Sequence, residues 1–409
     1  MFKDKTIVTI FFTIFIDLIG LGILIPIVPM LFANPGSDFY LLPAGVSVKT
    51  GYLMLGLLVA TYPLGQFIAT PILGQMSDIY GRKKVLALSL LGTSISYFIF
   101  AIAIITKDIP LLFFSRFFDG LTGGNVSVAQ AMIADVSTHE NRTRNFGLIG
   151  AAFGLGFIFG PYIGGRLSDP ATVSWFSAST PFFFASILAF VNMLSVTLLL
   201  KETNKHMQSA KIVWSKSIHN IKRAMKMPGV NVLFLTNFLF FGGFSFFTTF
   251  FAVYLINKFH LSQGNIGDFF AYVGLCSALT QALITRAVAK RFGEAHVLRA
   301  TLIGSGLMIL AYFLPRYTWQ ILFIPPIFGI FNGLSMANLT SLLSRSTPPQ
   351  MQGEILGINA SVQALASFIP AILSGFIAAS LTPETPLIIA AVVILIGALS
   401  FNLLYKPQA

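Results

Sequence analysis

The 409-residue chain has one cysteine, five histidines, three tryptophans and only 14 acidic residues. A lone cysteine, Cys276, excludes an intramolecular disulfide, so the sequence carries no mark of a redox compartment. His139, His206, His219, His260 and His296 fall in or near polar connections without metal-ligand spacing, so no metal site is expected. No glycine-rich phosphate loop ending in Lys-Ser/Thr is present, and no clustered nucleophiles or ligands mark an enzyme. Neither ATP-driven transport nor a bound cofactor is therefore expected. Charge itself is scarce, at 10% of residues against 55% apolar. That balance lies far from that of a soluble domain and makes lipid the expected solvent.

What fills the chain is a series of apolar runs. About 20 mainly apolar residues cross the hydrocarbon core as a helix, and helices satisfy their own backbone there. Spans are expected at roughly 6–32, 50–76, 84–106, 110–134, 145–167, 179–200, 230–256, 264–289, 295–314, 319–343, 354–380 and 386–405. The expected fold is an all-α polytopic membrane protein of twelve transmembrane helices. The first run is too long for a signal peptide, carries Asp17 and lacks a small-residue cleavage site, so it counts as span one.

An even number of spans places both termini on one side. If that side is the cytoplasm, it holds every one of the 26 basic residues except Lys49, Lys107, Arg116, Arg166, Lys258 and Arg316, as the positive-inside rule requires. The net charge of +12 thus edges the membrane. A nucleic-acid footprint would need the basic residues clustered on an aqueous face, so no nucleic acid is expected.

The chain repeats itself. Gly81 and the residues after it lie over Gly293, Phe118-Asp119-Gly120-Leu121 over Phe331-Asn332-Gly333-Leu334, and Gly147-Leu148 over Gly357-Ile358, at nearly constant offset. The expected organisation is a six-helix bundle at 1–200, a basic linker at 201–229 and a second six-helix bundle at 230–409. Part of the linker, around Ile212 to Met225, can form an amphipathic helix on the inner leaflet; a solvated tether is the alternative.

Between spans two and three, Gly74, Asp78, Gly81, Arg82, Lys83 and Lys84 form a charged, glycine-bracketed turn. This turn resembles the G-x-x-x-D-x-x-G-R-R/K signature of the major facilitator superfamily. The resemblance implies two pseudo-symmetric six-helix bundles with a substrate site between them near the midplane. In the second copy Asp78 maps to Lys290 and Arg82 to Glu294, a swap of charge. A gating lock is one reading of the turn. The other is topology alone, to which an anionic Asp78 adds nothing.

Within the spans, charge is rare enough to name. Asp17 in span one is the first proton-carrier candidate, since ionisable groups in a span mark ion or proton pathways. Arg116 and Asp119 in span four stand three residues apart on one helical face and form a candidate proton-coupling pair or, equally, a static ion pair. Span five is rich in small residues: Gly150, Gly154, Gly156, Gly160, Pro161, Gly164 and Gly165. Taken alone they need only mean close helix packing.

The segment FGLIGAAFGLGFIFGPYIGG from Phe146 is similar to the G-P-x-x-G-G antiporter signature of drug:proton antiporters. Arg116 to Asp135, Asp17 to Pro29 and Phe292-Gly293-Glu294 resemble stretches of the tetracycline efflux pump group. The resemblance implies proton-coupled efflux. Ser96, Ser277 and Ser305 stand where that group carries charged or titratable residues, so tetracycline itself is not carried over. An aromatic chain with 42 Phe suits an amphiphilic organic substrate. Cavity anchors are sought among Asn125, Gln130, Asn237, Phe241, Gln281, Asn332, Asn338, Asn359 and Gln363. The expected partners are a small-molecule substrate, protons and the bilayer, with the chain acting as a monomer in a bacterial inner membrane. An importer and a non-transporting sensor are the alternative readings.

Overall fold

The structure is a computed structural model, and it describes residues 5–137, 142–204, 212–227, 229–284, 288, 291–346 and 352–405. The helices in chain order are α1 (Lys5–Phe32), α2 (Val48–Tyr80), α3 (Arg82–Thr106), α4 (Ile109–Thr122), α5 (Asn125–Val136), α6 (Arg142–Ser168) and α7 (Thr180–Leu199). They continue with α8 (Lys216–Lys226), α9 (Asn231–Phe259), α10 (Gln263–Leu279), α11 (Glu294–Ala311), α12 (Ile324–Arg345), α13 (Gln352–Ser380) and α14 (Thr385–Leu404). Ten helical segments among the described residues are each long and apolar enough to cross a membrane.

The other two crossings are composite. Span four is expected as one helix over 110–134, but it breaks at Gly123-Gly124 into α4 and α5, neither long enough alone. Span eight is α10 followed by a π-helical turn at Thr280–Ile284. With these the fold has twelve crossings in two six-helix bundles. Helix starts follow local chemistry. Pro110, Pro181, Pro325 and Pro386 sit in first turns, where a missing N–H costs nothing. Asp108 and Ser262 accept from backbone N–H groups of the turns they open.

The second bundle has an aromatic core. Phe247 and Phe251 stack with centroids 4.4 Å apart, and Tyr312 packs edge-on to Phe251 at 4.6 Å. Of the phenylalanines crowding α9, Phe240, Phe246, Phe247, Phe250 and Phe251 are buried there; Phe238, Phe241 and Phe244 remain half-buried.

The face carrying the α2–α3 turn and the linker is called here the basic face. Close glycine-mediated backbone approaches between the bundles lie toward the opposite face. A Cβ on Gly56 of α2 would stand 2.7 Å from Cα of Gly375 in α13, and one on Gly165 of α6 would stand 3.0 Å from Cα of Gly267 in α10. Beside the second contact Arg166 grips Asp268 with both nitrogens, Nη2–Oδ2 2.6 Å and Nε–Oδ1 3.2 Å. At the basic face the link is α8. It starts later than expected because Val213 exchanges two hydrogen bonds with the side chain of Gln75 in α2.

The glycines of α6 do different jobs. Gly156, Gly160 and Gly164 face α1, where Gly160 approaches Gly22, and Gly165 faces α10. Nothing lies within 4 Å of a Cβ at Gly150, and only Ala278, at 3.7 Å, near one at Gly154. Pro161 is buried between these contacts. Gly160→Ala is therefore expected to cost about 1–3 kcal/mol through overpacking, because the blocking atoms are backbone of Gly22 and Ile19. Gly150→Ala is expected to be neutral or stabilising by up to about 1 kcal/mol. Thermal melts of the purified protein compare the two directly.

Candidate functional site: charge buried in the first bundle

Four polar side chains that the sequence scatters over spans one and four are buried together: Asp17, Arg116, Asp119 and Asn125 are each at most 6% exposed. Arg116 cannot be neutralised, so burying it demands partners. Its Nη1 donates to Oδ2 of Asp119 at 2.7 Å, and its guanidinium lies 4.6 Å from the ring centroid of Tyr62 in α2. Oδ1 of Asp17 accepts from Nδ2 of Asn125 at 2.6 Å. Oδ2 of Asp17 has no hydrogen-bond partner among the described residues. Asp17 and Asp119 are close enough to act on each other electrostatically, and Tyr62 and Tyr97 feel both. Ser96 and Thr93 of α3 face the Asp119 carboxylate.

The break in span four divides this cluster, with the Arg116–Asp119 pair on α4 and Asn125 opening α5. A broken helix in lipid must find partners for the carbonyls it frees. Here Ser89 of α3 donates to the carbonyl of Thr122, and Nε2 of Gln66 to that of Gly123 at 3.1 Å. The Gly124 carbonyl instead opens the ladder of α5, accepting from the backbone N–H of Val128 at 3.2 Å. Gln66 also donates to the Tyr62 hydroxyl at 2.9 Å, which ties the break to the aromatic ring over Arg116. Gly65 and Gly120 let α2 and α4 touch backbone to backbone, with a Cβ on Gly65 only 2.8 Å from Cα of Gly120.

At the basic face, Gly81 takes φ 98° between α2 and α3, a conformation that favours glycine. Nη1 of Arg82 contacts Oδ1 of Asp78 and Oγ of Ser77, both at 2.6 Å, and its Nε meets Oδ2 of Asp135 at 3.2 Å. The α3 N-terminus is capped from the linker: Glu202 accepts from the backbone of Arg82 at 3.0 Å and Lys83 at 3.1 Å. Lys84 is exposed, and a Cβ at Gly74 would meet nothing. The equivalent turn in the second bundle keeps one pair with both signs reversed, since Glu294 contacts Nε of Arg345 at 3.3 Å and accepts from Ser341 at 2.7 Å. Lys290, the counterpart of Asp78, lies outside the described residues, as do His139, residues 205–211, His206 among them, and Pro228 of the linker.

The cavity candidates divide. Asn125 holds Asp17; Asn237 donates to Oδ1 of Asn359 at 2.5 Å; Asn338 donates to the Leu334 carbonyl of its own helix at 2.7 Å. Gln130, Phe241, Asn332 and Gln363 are half-buried, and Gln281 is exposed in the π-helical turn. Sequence reasoning passed over Tyr62, Gln66, Tyr97, Ser77, Asp135 and Glu202. For Gln66 a signal existed, an amide inside an apolar span. Asp135 and Glu202 stand at helix ends, where an acid is ordinary.

Ionisable groups buried inside spans mark ion or proton pathways by default, and two six-helix bundles are an architecture of secondary transporters. The chain belongs to the Major Facilitator Superfamily, whose profile matches residues 10–371 and separately 233–409. It is 31% identical to the class C tetracycline resistance protein of Escherichia coli over 93% of this chain and 91% of that one. It is 28% identical to multidrug resistance protein 2 of Bacillus subtilis (strain 168), covering 99% and 96%. The quinolone resistance protein NorA of Staphylococcus aureus (strain Mu50 / ATCC 700699) is 27% identical, with 91% and 89% covered. Among solved structures, a D-xylose–proton symporter superposes with a TM-score of 0.77 at 16% identity, covering 98% of each chain. The human organic anion transporter MFSD10 gives 0.74 at 21% identity, covering 97% and 99%. These two likenesses show the fold.

Removing one partner of a buried pair leaves the other charge uncompensated. Arg116→Met alone is expected to cost about 3–5 kcal/mol, and Arg116→Met with Asp119→Leu less than that. Gln66→Leu, which strands the Gly123 carbonyl, is expected to cost about 1–3 kcal/mol. Melting temperatures of the three variants in detergent check both expectations.

Proposed function

We propose that the protein is a proton-coupled antiporter that exports a hydrophobic or amphiphilic small molecule, working as a monomer in a bacterial inner membrane. The observation that carries this reading is Asp17, a buried carboxyl with one oxygen held by Asn125 and the other without a partner among the described residues. A carboxylate in that position is costly when ionised and has a free oxygen on which to receive a proton.

The arrangement supports a sequence of events. A proton arriving at Asp17 weakens its hold on Asn125, because a neutral carboxyl accepts a hydrogen bond less strongly than an anion. Asn125 opens α5, just beyond the Gly123-Gly124 break, so α5 is free to tilt against α4. The Arg116–Asp119 pair and the Tyr62 ring stay with α4 and α2. Because α2 is the helix that meets α13 of the other bundle, the change passes to the contact between bundles. In the structure that contact is closed toward the face opposite the basic turns. The positive-inside count makes the basic face cytoplasmic, with both termini there, so this contact closes the bundles toward the outside of the cell. The bundles are taken as residues 1–200 and 230–409, joined by 201–229. The turn at Gly74, Asp78, Gly81, Arg82, Lys83 and Lys84 would then steady the first bundle and the linker as the bundles rock.

Efflux and the substrate class rest on the span-five motif and on the relatives, whose names speak of tetracycline, quinolone and multidrug resistance. The half-buried Gln130, Phe241, Asn332 and Gln363, with the exposed Gln281, offer amide and aromatic contacts to a substrate of that kind. The test is proton flux in liposomes containing a pH-sensitive dye, with amphiphilic compounds added as a panel. Wild type is expected to move protons when its substrate is present, and Asp17→Asn to lose that flux while still binding the compound. Undiminished flux in Asp17→Asn would assign the proton elsewhere.

A further inference from the structure

Helix α8 and the residues just before it have an inner side fully engaged with both bundles. Ser217 donates to the Phe67 carbonyl of α2. Nδ2 of Asn220 reaches Oγ of Ser361 at 3.1 Å and the Gly357 carbonyl at 3.4 Å, both in α13. Ser217, Asn220 and Ala224 are buried on this side. Phe67, Gly357 and Ser361 all fall inside apolar spans, not in connecting loops. The helix therefore packs at the depth of the bilayer boundary, across α2 and α13.

Its outer side is of a different kind. Trp214 is 73% exposed, Met225 72% and Ile218 54%. Ile218 and Met225 are seven residues apart, two helical turns, and so share one flank. Lys222 and Lys226 follow beside them on the next strip of surface, both exposed. Residues 212–227 contain no acid, and the one acid of residues 201–229, Glu202, is occupied at the α3 N-terminus. An apolar flank rimmed by lysines that have no ion pair among the described residues suits the boundary between acyl chains and negatively charged headgroups.

We infer that residues 213–226 are a docking surface for anionic phospholipid in the leaflet at the basic face, with Trp214, Ile218 and Met225 among the acyl chains and Lys222 and Lys226 on the headgroups. Because α8 is bonded to both bundles, lipid bound there sits on the strap that joins them. The surface lies apart from the buried charge cluster and does not depend on the direction of transport.

Trp214 supplies the readout. The protein with Trp175→Phe and Trp319→Phe keeps Trp214 as its only tryptophan, and it is reconstituted in phosphatidylcholine bilayers with a fixed share of phosphatidylglycerol. Bromine is carried on the acyl chains of one lipid or the other at equal mole fraction. The expected result is stronger quenching of Trp214 by the brominated phosphatidylglycerol, with that preference lost at high salt and in Lys222→Gln/Lys226→Gln. Salt dependence measured with both lysines in place keeps the test independent of how the lysine variant folds. Equal quenching by both lipids overturns the proposal, since the surface would then meet lipid without reading its charge. No quenching by either also overturns it, placing this face in water where a soluble acidic partner would be the occupant to seek.

Discussion

The first bundle is organised around a charge that cannot be removed. A guanidinium inside the membrane keeps its proton under any physiological condition, so the helices around Arg116 must supply a counter-charge, an aromatic face and close packing together. Asp119 gives the charge from the same helix and Tyr62 gives the face from α2. The approach of α2 to α4 that places Tyr62 is possible because Gly65 and Gly120 carry no side chains. The helix that bears this load then breaks three residues after Gly120, where Gln66 and Ser89 take up the freed carbonyls. Buried pairs of this type add little net stability against an apolar substitute. Here the pair fixes α4 beside α2, while Asn125 ties the start of α5 to Asp17.

The basic-face ion pairs show how the two copies of the unit have stayed self-sufficient. Arg82 of α3 reaches Asp135 at the end of α5, and Glu294 of α11 reaches Arg345 at the end of α12. Each pair joins the same two places in its own bundle with opposite polarity. A sign change at one partner alone would leave two like charges facing each other. Among the described residues, the ion pairs at this face stay within a bundle. The connections between the bundles include the glycine contacts of α2 with α13 and α6 with α10, the Arg166–Asp268 pair, the edge-on packing of Tyr52 on Phe250 and the α8 strap.

Span five illustrates a motif whose residues divide among neighbours. Gly156, Gly160 and Gly164 serve the contact with α1, within one bundle, whereas Gly165 serves the contact with α10 of the other. A single helix thus packs within its own bundle on one side and against the other bundle on the other. Small residues make both contacts shallow and close, and a shallow contact between bundles can part without unlocking interdigitated side chains.

Hydropathy, the excess of basic residues along one edge and the internal repeat are one-dimensional properties, and from them the twelve crossings, the two-bundle fold and the rarity of membrane charge were legible. Asp17, Arg116 and Asp119 stood out for the same reason, because an ion in an apolar run costs energy wherever the chain later goes. The tertiary structure decided what those ions meet. Asn125, 108 residues from Asp17, reads in sequence as a cavity amide and proves to be the partner of its carboxyl. Tyr62, Gln66, Asp135 and Glu202 acquire their roles only from neighbours contributed by other helices. The break at Gly123-Gly124 likewise needs donors from α2 and α3, and no local pattern can show that they are there. A helix is written by its own residues, but the partner of a buried polar group is chosen by which helices pack beside it.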